Sequence, residues 1–268
     1  MKILVDGFDT FAATGGQDFD PSRKLAVLIH GAGMTSAVWA LHSRWFAHHG
    51  WSVLAVDLPG HGRSAGTPLP SIAAMADWIV RLIDAVGAGK ATLIGHSMGS
   101  LVALEAAARH PTRIAALGLI GTAPAMPVHP DLLAAAQANS PEAIDMVAIW
   151  GHGARATMGG STAPGLWMLG AGKCILAEAA PGLLYNDLAA CDAYQDGLAS
   201  AAKIVCPATL VVGQYDVMTP LRAVKALAAI IPGARMTVLK DTGHMLMAER
   251  PDDVLDALIA GGLNAPGQ

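Results

Sequence analysis

Four short apolar runs do most to limit what this chain can fold into: residues 24–30 (KLAVLIH), 51–57 (WSVLAVD), 91–95 (ATLIG) and 116–120 (ALGLI). Each is bounded by turn residues and is apolar without alternation. A strand with one wet face alternates with period two, whereas an uninterrupted run needs a sheet covered on both faces, which is the parallel α/β case. Two further runs, 208–212 (ATLVV) and 235–239 (RMTVL), repeat the signal late in the chain. Helical patterns lie between them. Ser71 precedes apolar residues spaced three or four apart (Ile72, Met75, Ala76, Ile79, Leu82, Ile83, Val86), and Gly87 closes the segment. An Ala/Leu helix runs from Ser100 to Arg109 before Pro111, Pro220 opens another, and Pro251 opens the last. This alternation predicts an α/β fold with a doubly wound, mostly parallel sheet. The first 23 residues are expected to add one or two antiparallel edge strands near residues 3–5 and 10–13.

The rhythm breaks from about Thr122 to Ala202, where no strand is evident and Gly, Pro, Met and Trp accumulate. A loop of that length is rare. The expectation is a core of residues 1–121 and 203–268 with a helical cap insertion at 122–202.

Composition removes several function classes. With 53% apolar and 14% charged residues the chain can bury enough surface to order itself. Three cysteines cannot form a disulfide framework. A net charge of −4 argues against nucleic acid and anionic membranes as partners. The most apolar charge-free stretch, residues 114–128, is interrupted by Pro124 and Pro127 well short of the ~20 residues a span needs. The opening MKILV meets Asp6 before a signal-like core develops, so a cytoplasmic protein acting on a small molecule is expected.

The chemistry centres on G-x-S-x-G, which occurs twice, at residues 95–99 (GHSMG) and 62–66 (GRSAG). Context separates them. Ser97 follows an apolar strand and precedes a helix, the tight turn that holds a serine exposed and strained. Ser64 is followed by TPLP, which cannot begin a helix at once, and reads as a loop serine. A serine hydroxyl needs a base that an acid orients. His244 lies just past the last strand and Asp216 just past the run at 208–212, so Ser97, Asp216 and His244 fall in order at carboxyl ends of successive strands, where open α/β sheets hold ligands. His48, His49 and His110 read as helix-end residues, and His42, His129 and His152 lack partners at metal-ligand spacing. No metal site is expected. An oxyanion needs two backbone N–H donors; Met98, after the nucleophile, and Ala32, in the HGAGM loop at 30–34, are the candidates. The flanking residues Met34, Met98, Met218 and Met245, with Trp150, Trp167 and Met168 from the insertion, suggest an adaptable apolar acyl pocket. Arg63, Arg155 and Lys173 are the cations able to alter that expectation.

These residues resemble the α/β-hydrolase family. The matching pieces are HGAGMTSAVW (30–39), DLPGHGRS (57–64), GHSMGS (95–100), GQYDVMTP (213–220) and GHMLMAERPDDV (243–254), in the family's order across the whole core. The resemblance implies eight strands, a triad of Ser97, Asp216 and His244, an oxyanion hole from Ala32 and Met98, and no cofactor. Ser100 stands where the family usually has glycine. Dehalogenating and epoxide-opening members use Asp at the elbow, so Ser97 points to acyl chemistry. A neutral ester or lactone is the expected substrate. The alternatives are a carbon–carbon bond hydrolase, acyltransferase or perhydrolase on the same triad, or a non-catalytic binding protein on this fold. A nucleotide-binding oxidoreductase is disfavoured, because GHGRSA (60–65) is not followed by the helix a dinucleotide turn opens.

Overall fold

The computed structural model describes residues 1–162, 164–165 and 167–264. The strands are β1 (Lys2–Val5), β2 (Phe8–Ala13), β3 (Leu25–Ile29), β4 (Ser52–Val56), β5 (Ala91–His96), β6 (Ile114–Ile120), β7 (Ala208–Gly213) and β8 (Arg235–Leu239). They form one eight-stranded sheet in the order β1-β2-β4-β3-β5-β6-β7-β8. β1 and β2 pair antiparallel, β2 pairs antiparallel with β4, and every pair from β4 to β8 is parallel. Burial follows the sequence signal: every residue of β3, β4, β5 and β7 is buried, while edge strand β1 alternates exposed and buried.

The core helices are α1 (Ala40–His48), α2 (Ile72–Ala85) and α3 (Met98–Arg109). The Ser71 hydroxyl accepts from the Ala74 N–H at 3.2 Å, capping the first turn of α2. The two faces of β3 sort into separate layers. Leu25, Val27 and Ile29 pack with α2 and α3, whereas Ala26 and Leu28 pack with Trp39 and Phe46 on the other side.

Between β6 and β7 the described residues form α4 (Pro130–Gln137), α5 (Pro141–Gly151), α6 (Ala154–Thr157), α7 (Met168–Ala177), α8 (Leu183–Ala193) and α9 (Gly197–Ala201). The chain then adds α10 (Leu221–Ala228), α11 (Leu246–Glu249) and α12 (Pro251–Ala260). Buried hydrogen bonds tie this segment to α3: the hydroxyls of Tyr194, at the end of α8, and Ser200, in α9, donate to Glu105 Oε2 at 2.8 and 2.6 Å. Among the described residues no helix is long and apolar enough to cross a membrane.

Candidate active site

Ser97 joins β5 to α3 with φ 54° and ψ −122°, a left-handed conformation that non-glycine residues rarely adopt. The flanking glycines are required by space. A Cβ on Gly95 would lie 2.1 Å from the Gly99 carbonyl oxygen, and one on Gly99 would lie 2.2 Å from that of Ile29. The helix therefore begins against the end of β3, and the serine sits on the turn from β5 into α3. Ser100 fits its position by donating its hydroxyl to the Ser97 carbonyl oxygen at 2.6 Å. The other G-x-S-x-G serine has a structural task. The Ser64 hydroxyl, buried, donates to the Asp57 carbonyl at 2.6 Å and accepts from the Phe11 N–H at 2.9 Å.

Asp216 and His244 lie past β7 and β8, and His244 Nδ1 is 2.8 Å from Asp216 Oδ2. The Asp216 carboxylate is held from several directions. Oδ1 accepts from the N–H groups of Met218 and Thr219 at 2.9 and 2.8 Å, and Oδ2 accepts from the Thr219 hydroxyl at 2.5 Å. Burial alone would raise this carboxyl; the charge and hydrogen bond of His244 and the bonds from Thr219 outweigh it, leaving Asp216 below the ordinary carboxylate range. Since Asp216 accepts at Nδ1, that nitrogen carries the proton and Nε2 is the free base. His244 Nε2 is buried without a hydrogen-bond partner.

His96, two positions before Met98, supports this ring from below. Its Nε2–H donates to the His244 carbonyl oxygen at 2.9 Å, and the two ring centroids are 4.8 Å apart. Burial, reinforced by repulsion from His244, pushes His96 down to about 3, so it stays neutral. On the other side, Gly151 of the insertion accepts from the N–H groups of His244 and Met245 at 2.9 and 2.8 Å. The Glu249 carboxylate accepts from Gly243 and Gly153 at 3.1 and 3.2 Å. Burial raises the Glu249 carboxyl, and the N–H groups of Gly243, Gly153 and Met245 only partly offset it.

Ser97 and His244 open on one cavity of about 350 Å³. Gly31, Ala32, Met34 and His96 line it from the core, Val217, Met218, Thr219 and Met245 from the acid and histidine loops. Met126, Val128, His129, Leu132, Val147, Trp150, Leu184, Leu188 and Cys191 complete it from the insertion. None of these residues is Lys, Arg, Asp or Glu. Neither the Ala32 N–H nor the Met98 N–H meets a protein acceptor among the described residues.

The structure thus brings Met34, Trp150, Met218 and Met245 to the cavity with Ser97 and His244, and leaves Met98, Trp167 and Met168 out of it; the Met98 side chain is fully buried at the start of α3. Trp167 is 65% exposed just before α7, its ring lying over Gly170. Met168 is buried beside a second apolar cavity of about 360 Å³, walled also by Val38, Ile175 and Met247. The reason is how α7 packs: it lies against α5 and α6, and its residues Met168, Ala171, Gly172 and Ile175 line the second cavity, across from Met247 and Ala248. The three questioned cations stay outside as well. Arg63 lies over the Phe11 ring at 3.3 Å, Lys173 pairs with Asp145 at 2.6 Å, and Arg155 does not line the cavity.

Several contributors escape sequence reading. His96 sits inside the elbow motif, where its neighbour takes the attention. Thr219 had a signal in the D-x-x-T spacing from Asp216, which suits a side chain closing back on its own turn. Leu184, Leu188 and Cys191 had none, since their role depends on how α8 lies over the sheet.

A model of the alpha/beta hydrolase family matches residues 26–257. Among curated relatives, pimeloyl-[acyl-carrier protein] methyl ester esterases from Aromatoleum aromaticum and Chromobacterium violaceum are 30% and 31% identical. The first alignment covers 87% of this chain and 95% of the relative, the second 92% and 96%. The crystal structure of an enol-lactonase from Burkholderia xenovorans LB400 superposes with a TM-score of 0.86 at 24% identity, covering 97% of this chain and 99% of that one. By family match, by relatives aligned nearly end to end and by the eight-stranded sheet, this chain belongs to the alpha/beta hydrolase family.

Proposed function

We propose that this protein hydrolyses a neutral carboxylic ester or lactone through an acyl-enzyme on Ser97, with His244 as base and Asp216 as the group that orients it. The coarser statement, a hydrolase of the esterase and lactonase type acting on ester bonds, rests on the family and on relatives named as methyl ester esterases. The finer reading is carried by one observation: a histidine held by Asp216, with Nε2 unpartnered, and a serine on a strained elbow line the same cavity.

In the reaction Ser97 Oγ attacks the carbonyl carbon and its proton passes to His244 Nε2. The carbonyl π electrons move to oxygen, which the N–H groups of Ala32 and Met98 stabilise. Collapse of the tetrahedral adduct expels the alkoxide, which takes the proton from His244 and leaves the acyl group on Ser97. Water, deprotonated by His244, then releases the acid and restores the serine. Asp216 keeps the ring in the tautomer with Nε2 free and stabilises the imidazolium. Serine and base are commonly farther apart before substrate arrives and close on it. The apolar lining, with no charged side chain to pair a charged substituent, supports a neutral acyl group.

Labelling with a fluorophosphonate followed by peptide mapping, alongside turnover of p-nitrophenyl esters and simple lactones, tests this. Modification at Ser97 with loss of turnover is the expected result. Turnover that survives complete labelling, or labelling at another serine, overturns it.

A further inference from the structure

α8 carries a carboxylate where an apolar helix face would be expected. Asp187 is fully buried, among neighbours such as Leu183 and Leu188. A charge removed from water persists only when paired and hydrogen-bonded. Its Oδ2 takes both main partners: the Gly33 N–H at 2.8 Å and His61 Nε2 at 2.8 Å. Oδ1 accepts from Asn186 Nδ2 at 3.2 Å. His61, also buried, has its Nδ1 3.1 Å from the Pro59 carbonyl, so both ring nitrogens face acceptors and both must donate. Only the imidazolium satisfies both contacts, and in that form Asp187 and His61 make a buried ion pair between α8 and the loop after β4.

Gly33 donates from the peptide that follows Ala32. Ala32 stands between two glycines, and Gly33 has φ 66°, so local sequence leaves the direction of this loop free. Asp187 does not line the cavity; it grips the loop from behind. We propose that Asp187 is a positioning residue for the oxyanion site: by holding the Ala32–Gly33 peptide, with His61 as its counter-ion, it sets the Ala32 N–H toward the carbonyl oxygen of a substrate at Ser97. This rests on the serine-hydrolase reading above.

A pH dependence follows. Burial alone would lower His61, but the hydrogen bond and charge of Asp187, the Pro59 carbonyl and the charge of Asp57 raise it above its ordinary value. The groups facing it are Asp187 from α8, Asp57 past β4, and His30 past β3, whose ring is 4.8 Å away. His30 is held neutral at about 4 by burial and by repulsion from His61. A raised histidine supports the pair below its ordinary pKa and loses it as pH climbs through the raised value. The grip on Gly33 is thus charge-assisted at neutral pH and weakened on the alkaline side.

The test measures kcat and KM for a p-nitrophenyl ester from pH 6 to 10, per active site counted by end-point fluorophosphonate labelling, in wild type, Asp187→Ala, Asp187→Asn and His61→Gln. Loss of one oxyanion donor lowers rates about 10²–10³-fold, so a displaced donor in Asp187→Ala is expected to lower kcat about tenfold or more with KM nearly unchanged. Asp187→Asn, which keeps an oxygen for the Gly33 N–H, should recover most of that loss. Wild-type kcat should show an alkaline decline that Asp187→Asn and His61→Gln lack. Wild-type kcat per labelled site in Asp187→Ala overturns the proposal. Should that variant not fold, an alkaline decline retained in both other variants overturns it equally. A wild-type enzyme that hydrolyses the ester but takes no label at Ser97 shows instead that the serine reading has failed, and this inference with it.

Discussion

Holding a non-glycine residue at the Ser97 backbone angles costs on the order of 1–3 kcal/mol, and the surrounding packing at Gly95 and Gly99 leaves the chain no relaxed alternative. The strain and the hydroxyl can be separated by substitution. Ser97→Ala keeps the strain and deletes the proposed nucleophile, so turnover should vanish while urea stability stays near wild type. Ser97→Gly deletes both; relief of strain, less about 0.5–1 kcal/mol of added unfolded-state entropy, should leave it about 1 kcal/mol more stable and equally inactive. Equal stability of the two variants would show that the turn is not strained. Asp216 offers a different separation. Asp216→Asn keeps shape and most hydrogen bonds but loses the charge and the tautomer control. It should lower kcat by about 10⁴ with little change in KM, which steady-state kinetics on a chromogenic ester will show. A mild effect would make Asp216 a turn-former for Met218 and Thr219 alone.

Among elements, α3 approaches the end of β3 closely enough that a Cβ on Gly99 would lie 2.2 and 2.6 Å from the Ile29 and His30 carbonyl oxygens. Gly99→Ala forces backbone apart in the centre of the sheet. We expect it to yield little folded protein, or a loss beyond about 3 kcal/mol by denaturant titration; near-native stability would contradict the packing described. A second junction joins the insertion to the histidine loop through Glu249. Glu249→Ala leaves the buried N–H groups of Gly153 and Gly243 unpaired, each costing about 1–3 kcal/mol, and frees the loop bearing His244. Stability and kcat should fall together. The elements themselves were legible to unequal degrees. β3, β4, β5 and β7 are buried on both faces and so write uninterrupted apolar runs into the sequence. The start of α3 was read at Ser100 although the helix begins at Met98, because Gly and Ser are weak helix formers and the elbow geometry, not propensity, starts the turn. The helices between β6 and β7 are short, and periodicity over so few turns does not fix their faces.

At the scale of the whole molecule, the candidate site is assembled from the sheet's carboxyl edge and the helices between β6 and β7, and these differ in how sequence records them. Ser97, Asp216 and His244 are adjacent to strand ends, so reading the strands locates them. Met218 and Met245 come with Asp216 and His244 as chain neighbours, and Met34 comes with the loop at the end of β3. Leu184, Leu188, Val147 and Leu132 are brought in by the lie of α8, α5 and α4, which no local pattern encodes, and for the same reason Trp167 and Met168 were expected in a cavity they do not line. What the assembled cavity lacks is as informative as what it holds. It presents methionine, leucine, valine and tryptophan side chains, and its ionisable groups beyond His96 and His244 are His129 and a buried Cys191. The Cys191 thiol is itself driven up by burial and by the nearby charges of Asp187 and Asp192, so it adds no negative charge to the wall. A substrate carboxylate placed here would shed its hydration without gaining a cation, since Arg63 is committed to Phe11 and Lys173 to Asp145. Even a partly compensated desolvation of a few kcal/mol corresponds to two or more decades in kcat/KM. The p-nitrophenyl ester of a five-carbon acyl chain should therefore exceed its ω-carboxylate analogue by about 100-fold or more at low ionic strength. The difference should lie mainly in KM, because the penalty falls on binding rather than on the transition state alone. Equal values, or a preference for the anion, would mean that a cation reaches the acyl group when substrate binds and that the pocket described is not the one that selects it.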